Sequence, residues 1–221
     1  IIVGVFEKSM NFGFVRPKNA PRDIYISKKK TKGAKTGDLV AVKIYFWGDS
    51  EKKPEGEVVS IIGNPQDTQT LISALLIDNG IQEKFSNEVI KEVDRIEEDF
   101  SKELENRKDL RHLNIVTIDG ADAKDLDDAV YVEKTDLGYK LYVSIADVSY
   151  YVKEGTELDT EALKRGNSIY LVDRVIPMLP RKLSNNLCSL NPHEDKLTFT
   201  VEIDFDARGK VIGNDFYKSV I

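Results

Sequence analysis

Cysteine, histidine and long apolar runs are scarce in this sequence. Its 221 residues include one cysteine, Cys188, and two histidines, His112 and His193. A disulfide framework and a multi-cysteine zinc site are therefore excluded, and a reducing, cytoplasmic setting is expected. No apolar run approaches the roughly 18 residues that a membrane helix needs, and no signal-peptide pattern is present, so we expect no membrane partner. Any bound metal would have to depend mainly on carboxylates.

Charge is distributed unevenly along the chain. The net charge is −6, yet residues 1–66 hold 12 basic and 7 acidic side chains, whereas the remainder holds 20 and 31. The basic part favours a polyanion, and the acidic part would repel one unless cations intervene. A protein of this kind holds nucleic acid with one part and divalent metal with the other. A chance imbalance on two solvated surfaces is the alternative.

Residues 1–63 have the pattern of an all-β domain. Five short segments are rich in β-branched and aromatic residues: 1–6, 13–16, 23–27, 39–45 and 56–61. Turn-rich pieces separate them, and strands at this spacing predict a small closed barrel. The sequence Gly63-Asn64-Pro65 then breaks the pattern, so we place a domain boundary after residue 65.

Beyond residue 65 the pattern changes to helices and then to mixed structure. Thr68 is placed to cap a first helix that stops at Gly80. A second helix is predicted from one apolar stripe, formed by Val89, Val93, Ile96, Phe100 and Leu104. Strands are predicted at 115–118, 129–133 and 140–146, a short helix at 158–165, and a hairpin at 196–218. We therefore expect a multi-domain chain, with an all-β barrel at 1–65 followed by linker helices and an α+β domain at 66–221.

The strongest chemical signal is a run of aspartates directly after the predicted strand 115–118. Asp119, Asp122, Asp125, Asp127 and Asp128 lie within ten residues. Packed together they would repel one another unless a cation is bound, and oxygen ligands at this density suit Mg²⁺ or Mn²⁺. Such a site serves phosphoryl chemistry. The spacing is not that of an EF-hand, and a solvated acidic turn or a structural calcium site are the alternatives.

Aromatic and basic residues are interleaved in the first segment. Phe12 and Phe14 are predicted on one strand and Tyr25 on the next, flanked by Arg16 and Lys18. Exposed rings stack on unpaired bases while basic groups hold phosphates, which makes these residues candidates for binding single-stranded RNA. The alternative is that the rings fill the barrel, since some side chains of each strand must point inward. Trp47 is expected to pack rather than to bind.

Several stretches resemble known families. Phe12-Gly13-Phe14-Val15 and Asp23-Ile24-Tyr25-Ile26 resemble a cold-shock domain, which has the OB-fold. The aspartate run from residue 117 to 129 and the stretch from 176 to 190 both resemble the ribonuclease II/ribonuclease R family. The residues from Asp119 to Asp125 are more similar to ribonuclease R than to ribonuclease II. The order and separation of these stretches also fit. The resemblance covers essentially the whole chain, as a second cold-shock domain and the N-terminal part of an RNB catalytic domain.

The resemblance implies a processive 3′→5′ exoribonuclease that acts on single-stranded RNA and RNA 3′ ends and releases nucleoside 5′-monophosphates. It assigns catalytic and metal-binding roles to Asp119, Asp125, Asp127 and Asp128, and stacking on a base near the 3′ end to Tyr170. The implied cofactor is Mg²⁺, with Mn²⁺ as the alternative. Protein partners are not indicated.

The family's catalytic domain is longer than the stretch present in this sequence, and the chain opens on Ile1. We therefore expect a segment of a longer protein, with a second RNA-clamping tyrosine and a catalytic arginine outside it. An RNA-binding module without catalytic activity in this shorter form is the alternative function. Asp122 has no counterpart among the family's four aspartates, and Arg181 either contacts phosphate or braces the channel. Cys188 is expected to be a small buried residue and not a nucleophile.

Overall fold

A computed structural model of the chain describes residues 1–17 and 20–221. These residues form two compact units, Ile1–Lys84 and Phe85–Ile221. None of the helices in the described residues is long and apolar enough to cross a membrane. The domain boundary after residue 65 stays a prediction; in the structure it falls just beyond the last strand of the barrel, within the first unit.

The first unit contains a closed barrel of five strands. They are β1 (Ile2–Lys8), β2 (Phe12–Pro17), β3 (Ile24–Ser27), β4 (Leu39–Phe46) and β5 (Glu55–Gly63). Around the barrel the order is β1-β2-β3-β5-β4, and β4 pairs back to β1. β3 and β5 run parallel, and the other neighbours are antiparallel. The five predicted strands are confirmed, and the barrel is OB-like, as expected.

Alternation of side chains along the strands builds the core of the barrel. Phe6, Val15, Ile24 and Ile26 are buried, whereas the side chains at alternate positions face outward. The Phe6 ring fills the space beside Gly13, where a Cβ atom would collide with the ring carbons. Position 13 therefore needs glycine for the core to close at native packing density.

A helix, α1 (Thr68–Asp78), follows the barrel within the first unit. Its capping residue is Asp67 rather than Thr68, because the Asp67 carboxylate accepts hydrogen bonds from the backbone N–H groups of Gln69 and Thr70. The chain turns after the helix at Gly80, which has a φ of +72°. The predicted helix is confirmed, with its cap one position earlier.

The second unit is built on a five-stranded sheet. Its strands are β6 (Lys108–Asp109), β7 (Asp128–Lys134), β8 (Gly138–Ala146), β11 (Leu197–Asp206) and β12 (Val211–Val220), with β9 (Ile169–Tyr170) and β10 (Val175–Ile176) forming a separate pair. The sheet order is β6-β12-β11-β8-β7, so β7 is an edge strand. The helices are α2 (Asn87–Asp94), α3 (Val148–Tyr151) and α4 (Glu157–Arg165). The expected α+β class is confirmed.

The core of the second unit joins α2 and α4 to the segment that precedes β11. Val89 and Val93 of α2 and Leu158 of α4 are buried against Leu183 and Cys188. Burial raises the pKa of the Cys188 thiol to about 12. Cys188 is thus a packing residue, as expected, and not a nucleophile.

The second predicted helix is shorter than its apolar stripe. α2 ends at Asp94, and Ile96 and Phe100 pack against the same core from non-helical backbone. Acidic residues crowd the end of this helix, where the helix dipole disfavours them. The Asp99 carboxylate also accepts a hydrogen bond from the Ser101 N–H, which starts a separate helical turn. The prediction that the stripe packs is confirmed for Val89, Val93, Ile96 and Phe100, whereas the predicted length of the helix is wrong.

The predicted strand at 115–118 is also wrong. Within this segment only Val116 pairs, through two hydrogen bonds with Val130 of β7 at 3.0 and 2.8 Å. Ile118 is 83% exposed, because the backbone has already left the sheet there. The aspartate run therefore lies on a loop.

Candidate active site

The aspartate run occupies the loop 117–127, which leads from Val116 into β7. Asp128 is the first residue of β7 and pairs with Ile145 of β8. Asp119, Asp127 and Asp128 are exposed, and Asp125 is half-buried. The loop therefore presents its carboxylates to solvent beside the edge strand of the sheet.

Ser189 holds this loop from beneath. Its hydroxyl is fully buried, accepts a hydrogen bond from the Leu126 N–H at 3.1 Å and donates one to the Lys124 carbonyl at 3.0 Å. The backbone on either side of Asp125 is thereby fixed. Ser189 was not among the residues predicted for the site, although it lies in the 176–190 stretch; its place between the apolar Cys188 and Leu190 was the signal.

Two backbone hydrogen bonds continue this anchoring. The Leu190 N–H donates to the Leu126 carbonyl at 2.8 Å, and the Ala146 N–H donates to the Asp127 carbonyl at 3.0 Å. The backbone from 124 to 128 is therefore tied both to the buried 189–190 segment and to β8.

Like charges surround Asp127. Although the residue as a whole is exposed, partial desolvation of its carboxyl raises the pKa above the ordinary value, and the carboxylates of Asp125, Asp128 and Asp119 raise it further. These are the four aspartates that the resemblance singles out, whereas Asp122 does not contribute. The repulsion among them is of the kind that a bound cation relieves.

The donors of this loop suit a hard divalent cation, since they are all carboxylate oxygens. In the described part of the chain, no three acidic, histidine or cysteine side chains converge as a metal site would require. The four aspartates thus fit a divalent cation through their chemistry and mutual repulsion, and their side chains stand apart in this conformation.

Tyr170, on β9, lies beside the loop. Its hydroxyl donates a hydrogen bond to the Asp125 carboxylate at 2.5 Å, which together with partial burial raises the pKa of the phenol to about 12. The side chain is 65% exposed. The structure therefore brings together two predicted site residues that are 45 positions apart. The hydroxyl fixes the ring, and a ring left in water can stack on a base.

A cavity of about 370 Å³ opens next to this pair. Asp125 and Tyr170 line it together with two basic side chains, Lys124 and Arg181. A cavity of this size lies within the range of small-ligand sites, roughly 300–1,000 Å³. It combines a ring that can stack on a base, cations that can hold a phosphate and, of the four aspartates, the carboxylate of Asp125.

The aromatic rings of the barrel face outward. Phe12, Phe14 and Tyr25 are half-buried and lie together, with ring centroids 5.2 to 6.0 Å apart. The ammonium of Lys53 stands 4.7 Å from the centroid of the Phe14 ring. Because Phe6 fills the interior instead, these three rings form a surface on which unpaired bases can stack.

The basic residues predicted beside these rings differ in what the structure shows. Arg16 is exposed and pairs with Glu7 at 3.2 Å and with Asp23 at 3.8 Å. Exposed ion pairs contribute little, so a phosphate can compete for this guanidinium. Lys18 lies outside the described residues. The expectation that Trp47 packs is wrong, since it is 71% exposed.

Comparison with known protein families identifies the family of this chain. The RNB domain matches residues 107–221, just over half of the chain, and the cold shock domain matches residues 14–86. The chain belongs to the RNB family. The resemblance found in the sequence is confirmed. The aspartate loop, Ser189 and Tyr170 all lie inside the RNB match, and Phe14 and Tyr25 lie inside the cold shock match.

Relatives of known name match over nearly the whole chain. Ribonuclease R of Thermotoga maritima is 46% identical over all of the chain and 32% of its own length. Ribonuclease R of Aquifex aeolicus is 44% identical over 98% of the chain and 31% of its own length. The structure of Mycoplasma genitalium RNase R in complex with double-stranded RNA matches all of the chain and 40% of its own, with 31% identity and a TM-score of 0.93. The chain thus spans about a third of the length of these curated relatives.

Proposed function

We propose that this chain belongs to a divalent-metal-dependent 3′→5′ exoribonuclease, which hydrolyses RNA processively to nucleoside 5′-monophosphates. The observation that carries the proposal is a set of four aspartates within the RNB match, three in the loop 117–127 and Asp128 at the start of β7, with the exposed Tyr170 bonded to Asp125. The two relatives named Ribonuclease R support it. A cytoplasmic setting is part of the proposal, supported by a single, buried thiol.

In this proposal Asp119, Asp125, Asp127 and Asp128 hold Mg²⁺ or Mn²⁺. When bound, the cation would supply the positive charge that lets a phosphodiester approach an acidic loop and polarises its phosphorus. Ser189 keeps the backbone of the loop in place, so that the carboxylates need only small side-chain movements. Partial desolvation and then the charges of Asp125, Asp128 and Asp119 raise the pKa of Asp127, and a bound cation would offset the repulsion among these carboxylates.

Tyr170 binds the substrate in this proposal. Its ring stacks on a base near the 3′ end, and its hydrogen bond to Asp125 ties the position of that base to the acidic loop. Lys124 and Arg181 line the same cavity and bind phosphate oxygens of the RNA. The barrel holds unpaired bases on Phe12, Phe14 and Tyr25, with Arg16 and Lys18 as the predicted phosphate contacts.

A second candidate function is an RNA-binding module that is catalytically silent as the chain stands. One observation favours it: the acidic side chains of the described residues do not converge on a common point. The barrel would bind single-stranded RNA in the same way, and the acidic loop would be idle.

A time course on a 5′-labelled single-stranded RNA decides between the two. The chain is incubated with RNA in Mg²⁺ and in EDTA, beside a full-length family member as the positive control. A ladder that shortens from the 3′ end in Mg²⁺ alone is the expected result. Intact RNA that still shifts on a native gel would overturn catalysis by this chain and favour the binding module.

A further inference from the structure

Trp47 is a large ring that the fold leaves in water. It is the only tryptophan of the chain and is 71% exposed, in the loop that leads from β4 to β5. A single exposed apolar residue needs no special explanation. Trp47 is different because it forms one wall of a cavity.

This cavity, which we call the Trp47 cavity, has a volume of about 340 Å³. Its lining is mostly apolar: Ile2, Ile44, Pro21 and Pro54 contribute to it, with the guanidinium-bearing Arg22. The Arg22 guanidinium donates a hydrogen bond to the Asp49 carbonyl at 2.7 Å, which holds the β4–β5 loop in place. This lining fits a ligand with a flat, apolar part for the cavity and a negatively charged group next to that part for Arg22.

Basic side chains lie near the Trp47 cavity. Arg22 lines it, and Lys52 and Lys53 follow in the β4–β5 loop after the acidic Glu51; all three basic side chains are exposed. The carboxylate of Asp49 accepts hydrogen bonds from the backbone N–H groups of Lys52 and Glu51, both at 2.8 Å, and these hold its pKa below the ordinary value. The Asp49 carboxylate is thus already engaged within the loop. Lys52 is exposed, and Arg22 and Lys53, although each already has a partner, are also exposed, so all three can meet a phosphate backbone.

The Trp47 cavity adjoins the aromatic face of the barrel. The Pro54 carbonyl accepts a hydrogen bond from the Tyr25 N–H at 2.8 Å, and the ammonium of neighbouring Lys53 stands over the Phe14 ring. In OB-folds, the loop between strands 4 and 5 and the face of strands 2 and 3 form one surface for oligonucleotides. The β4–β5 loop therefore lies beside the stacking face of Phe14 and Tyr25.

We propose that the Trp47 cavity binds one unpaired base of single-stranded RNA, stacked on the indole, with the adjoining phosphates at Arg22, Lys52 and Lys53. This inference rests on the proposed function in taking RNA as the ligand. It adds a base-binding position beyond Phe12, Phe14 and Tyr25, so that the track for RNA continues from the strand face into the β4–β5 loop.

The indole itself reports the test, because no other tryptophan contributes to the emission. A short oligouridine is titrated into the chain in EDTA, which prevents metal-dependent cleavage, while intrinsic fluorescence and the anisotropy of an end-labelled copy of the RNA are measured. We expect saturable quenching of the Trp47 emission with the same midpoint as the anisotropy. A duplex of equal length should quench far less, since stacking needs an unpaired base.

Variants separate stacking from mere proximity. Trp47→Ala should weaken binding about 5- to 150-fold, the range that corresponds to about 1–3 kcal/mol per stacked base, and Trp47→Phe should recover most of the loss. Leu71→Ala, at an exposed apolar position on α1 of the same unit, should bind as the parent does. Circular dichroism of each variant checks that the fold is retained.

The contradicting results are distinct from a failure of the proposed function. Anisotropy that shows binding while the Trp47 emission stays constant, with Trp47→Ala binding as tightly as the parent, would overturn the base site and leave RNA binding by the strand face intact. Equal quenching by the duplex would overturn stacking in the same way. If neither signal changes, the inference fails as well, while the cleavage time course still tests the proposed function by itself.

Discussion

The two units of this chain place opposite charges beside their candidate RNA-binding residues. On the barrel, the ammonium of Lys53 stands over the Phe14 ring at 4.7 Å. In the second unit, the carboxylates of Asp125, Asp128 and Asp119 lie near that of Asp127. The first arrangement attracts a polyanion as it stands, whereas the second repels one until a metal ion is bound. Binding and cleavage of RNA should therefore be separable.

The interiors differ as well. The barrel is filled by apolar side chains, among them Phe6 and Ile26. The second unit buries an ion pair, in which the Arg107 guanidinium lies 2.6 Å from the Asp147 carboxylate and also donates to the Thr198 carbonyl at 3.1 Å. The candidate active site therefore lies on the unit whose interior contains the buried ion pair of Arg107 and Asp147.

The largest expected effect distinguishes cleavage of RNA from binding of RNA. Asp127→Asn should reduce cleavage about 10⁴-fold, the loss typical when a catalytic carboxylate is removed, because the four aspartates act together. RNA affinity should stay within about twofold, since the barrel is untouched. Single-turnover cleavage and a gel shift measure the two quantities. Asp122→Asn removes one charge from the same loop and serves as the control; an equal loss of cleavage there would mean that only loop charge matters.

A second change tests the buried ion pair. Asp147→Ala should lower the free energy of unfolding by about 3–5 kcal/mol at neutral pH, because it leaves the Arg107 charge buried and unpaired. Urea denaturation checks this. Asp195→Ala removes one of the two carboxylate partners of exposed Arg111, at 2.7 Å, and should cost less than about 1 kcal/mol. Equal losses in the two variants would contradict a special role for the buried pair.

The pH dependence of that stability has a defined sign. Burial alone would raise the pKa of Asp147, but hydrogen bonds from Ser149 and Arg107 and the charge of Arg107 outweigh burial and lower it. The ionised pair therefore stabilises the fold above the ordinary range of an aspartate, near pH 3.8, and this stability is lost as the pH falls through the lowered pKa. The difference between the parent and Asp147→Ala should narrow in that acidic range. A difference that grew on acidification would contradict the assignment.

The anchoring of the acidic loop predicts a smaller effect. Ser189→Ala leaves the buried Leu126 N–H without its acceptor, which should cost about 1–3 kcal/mol and loosen the loop. Cleavage should fall with RNA affinity unchanged. Ser101→Ala is the control, because Ser101 lies outside the RNB match and its hydroxyl donates to neighbouring Asp99. Thermal unfolding and single-turnover rates distinguish the two variants. Identical behaviour would contradict the role of Ser189 in anchoring the acidic loop.

The aromatic face predicts the complementary result. Phe14→Ala should weaken RNA binding by about 1–3 kcal/mol, the loss of one stacked base, while the rate on saturating RNA stays the same. Ile61→Ala, at an exposed position on β5, is the control. Fluorescence anisotropy at low and high salt measures both variants. An affinity that does not change with salt would contradict phosphate contacts.

Sequence patterns predicted most of the barrel because side chains alternate along its strands: Phe6, Val15 and Ile26 point inward, and Phe12, Phe14 and Tyr25 point outward. The orientation itself needed the structure, since alternation does not say which set is inside. The same holds for Trp47, which an apolar composition assigns to a core.

The candidate site shows the same limit. The aspartate run and Tyr170 were found from motifs, but the contact between Asp125 and Tyr170 joins residues 45 positions apart and depends on how β9 lies beside the loop. The role of Ser189 depends on two hydrogen bonds to residues more than 60 positions away. Helix length at Asp94 was overestimated, because apolar spacing carries no information on where acidic residues end a helix.

The central claim is that the four aspartates, and not the charge of the loop as such, hold a divalent cation. Electron paramagnetic resonance of Mn²⁺ titrated into the chain tests it most directly, with Asp127→Asn and Asp122→Asn measured beside the parent. Mn²⁺ should bind to the parent and to Asp122→Asn, and Mg²⁺ should displace it and EDTA remove it. Asp127→Asn should bind Mn²⁺ with much lower affinity. Mn²⁺ bound equally well by Asp127→Asn and the parent would contradict this claim.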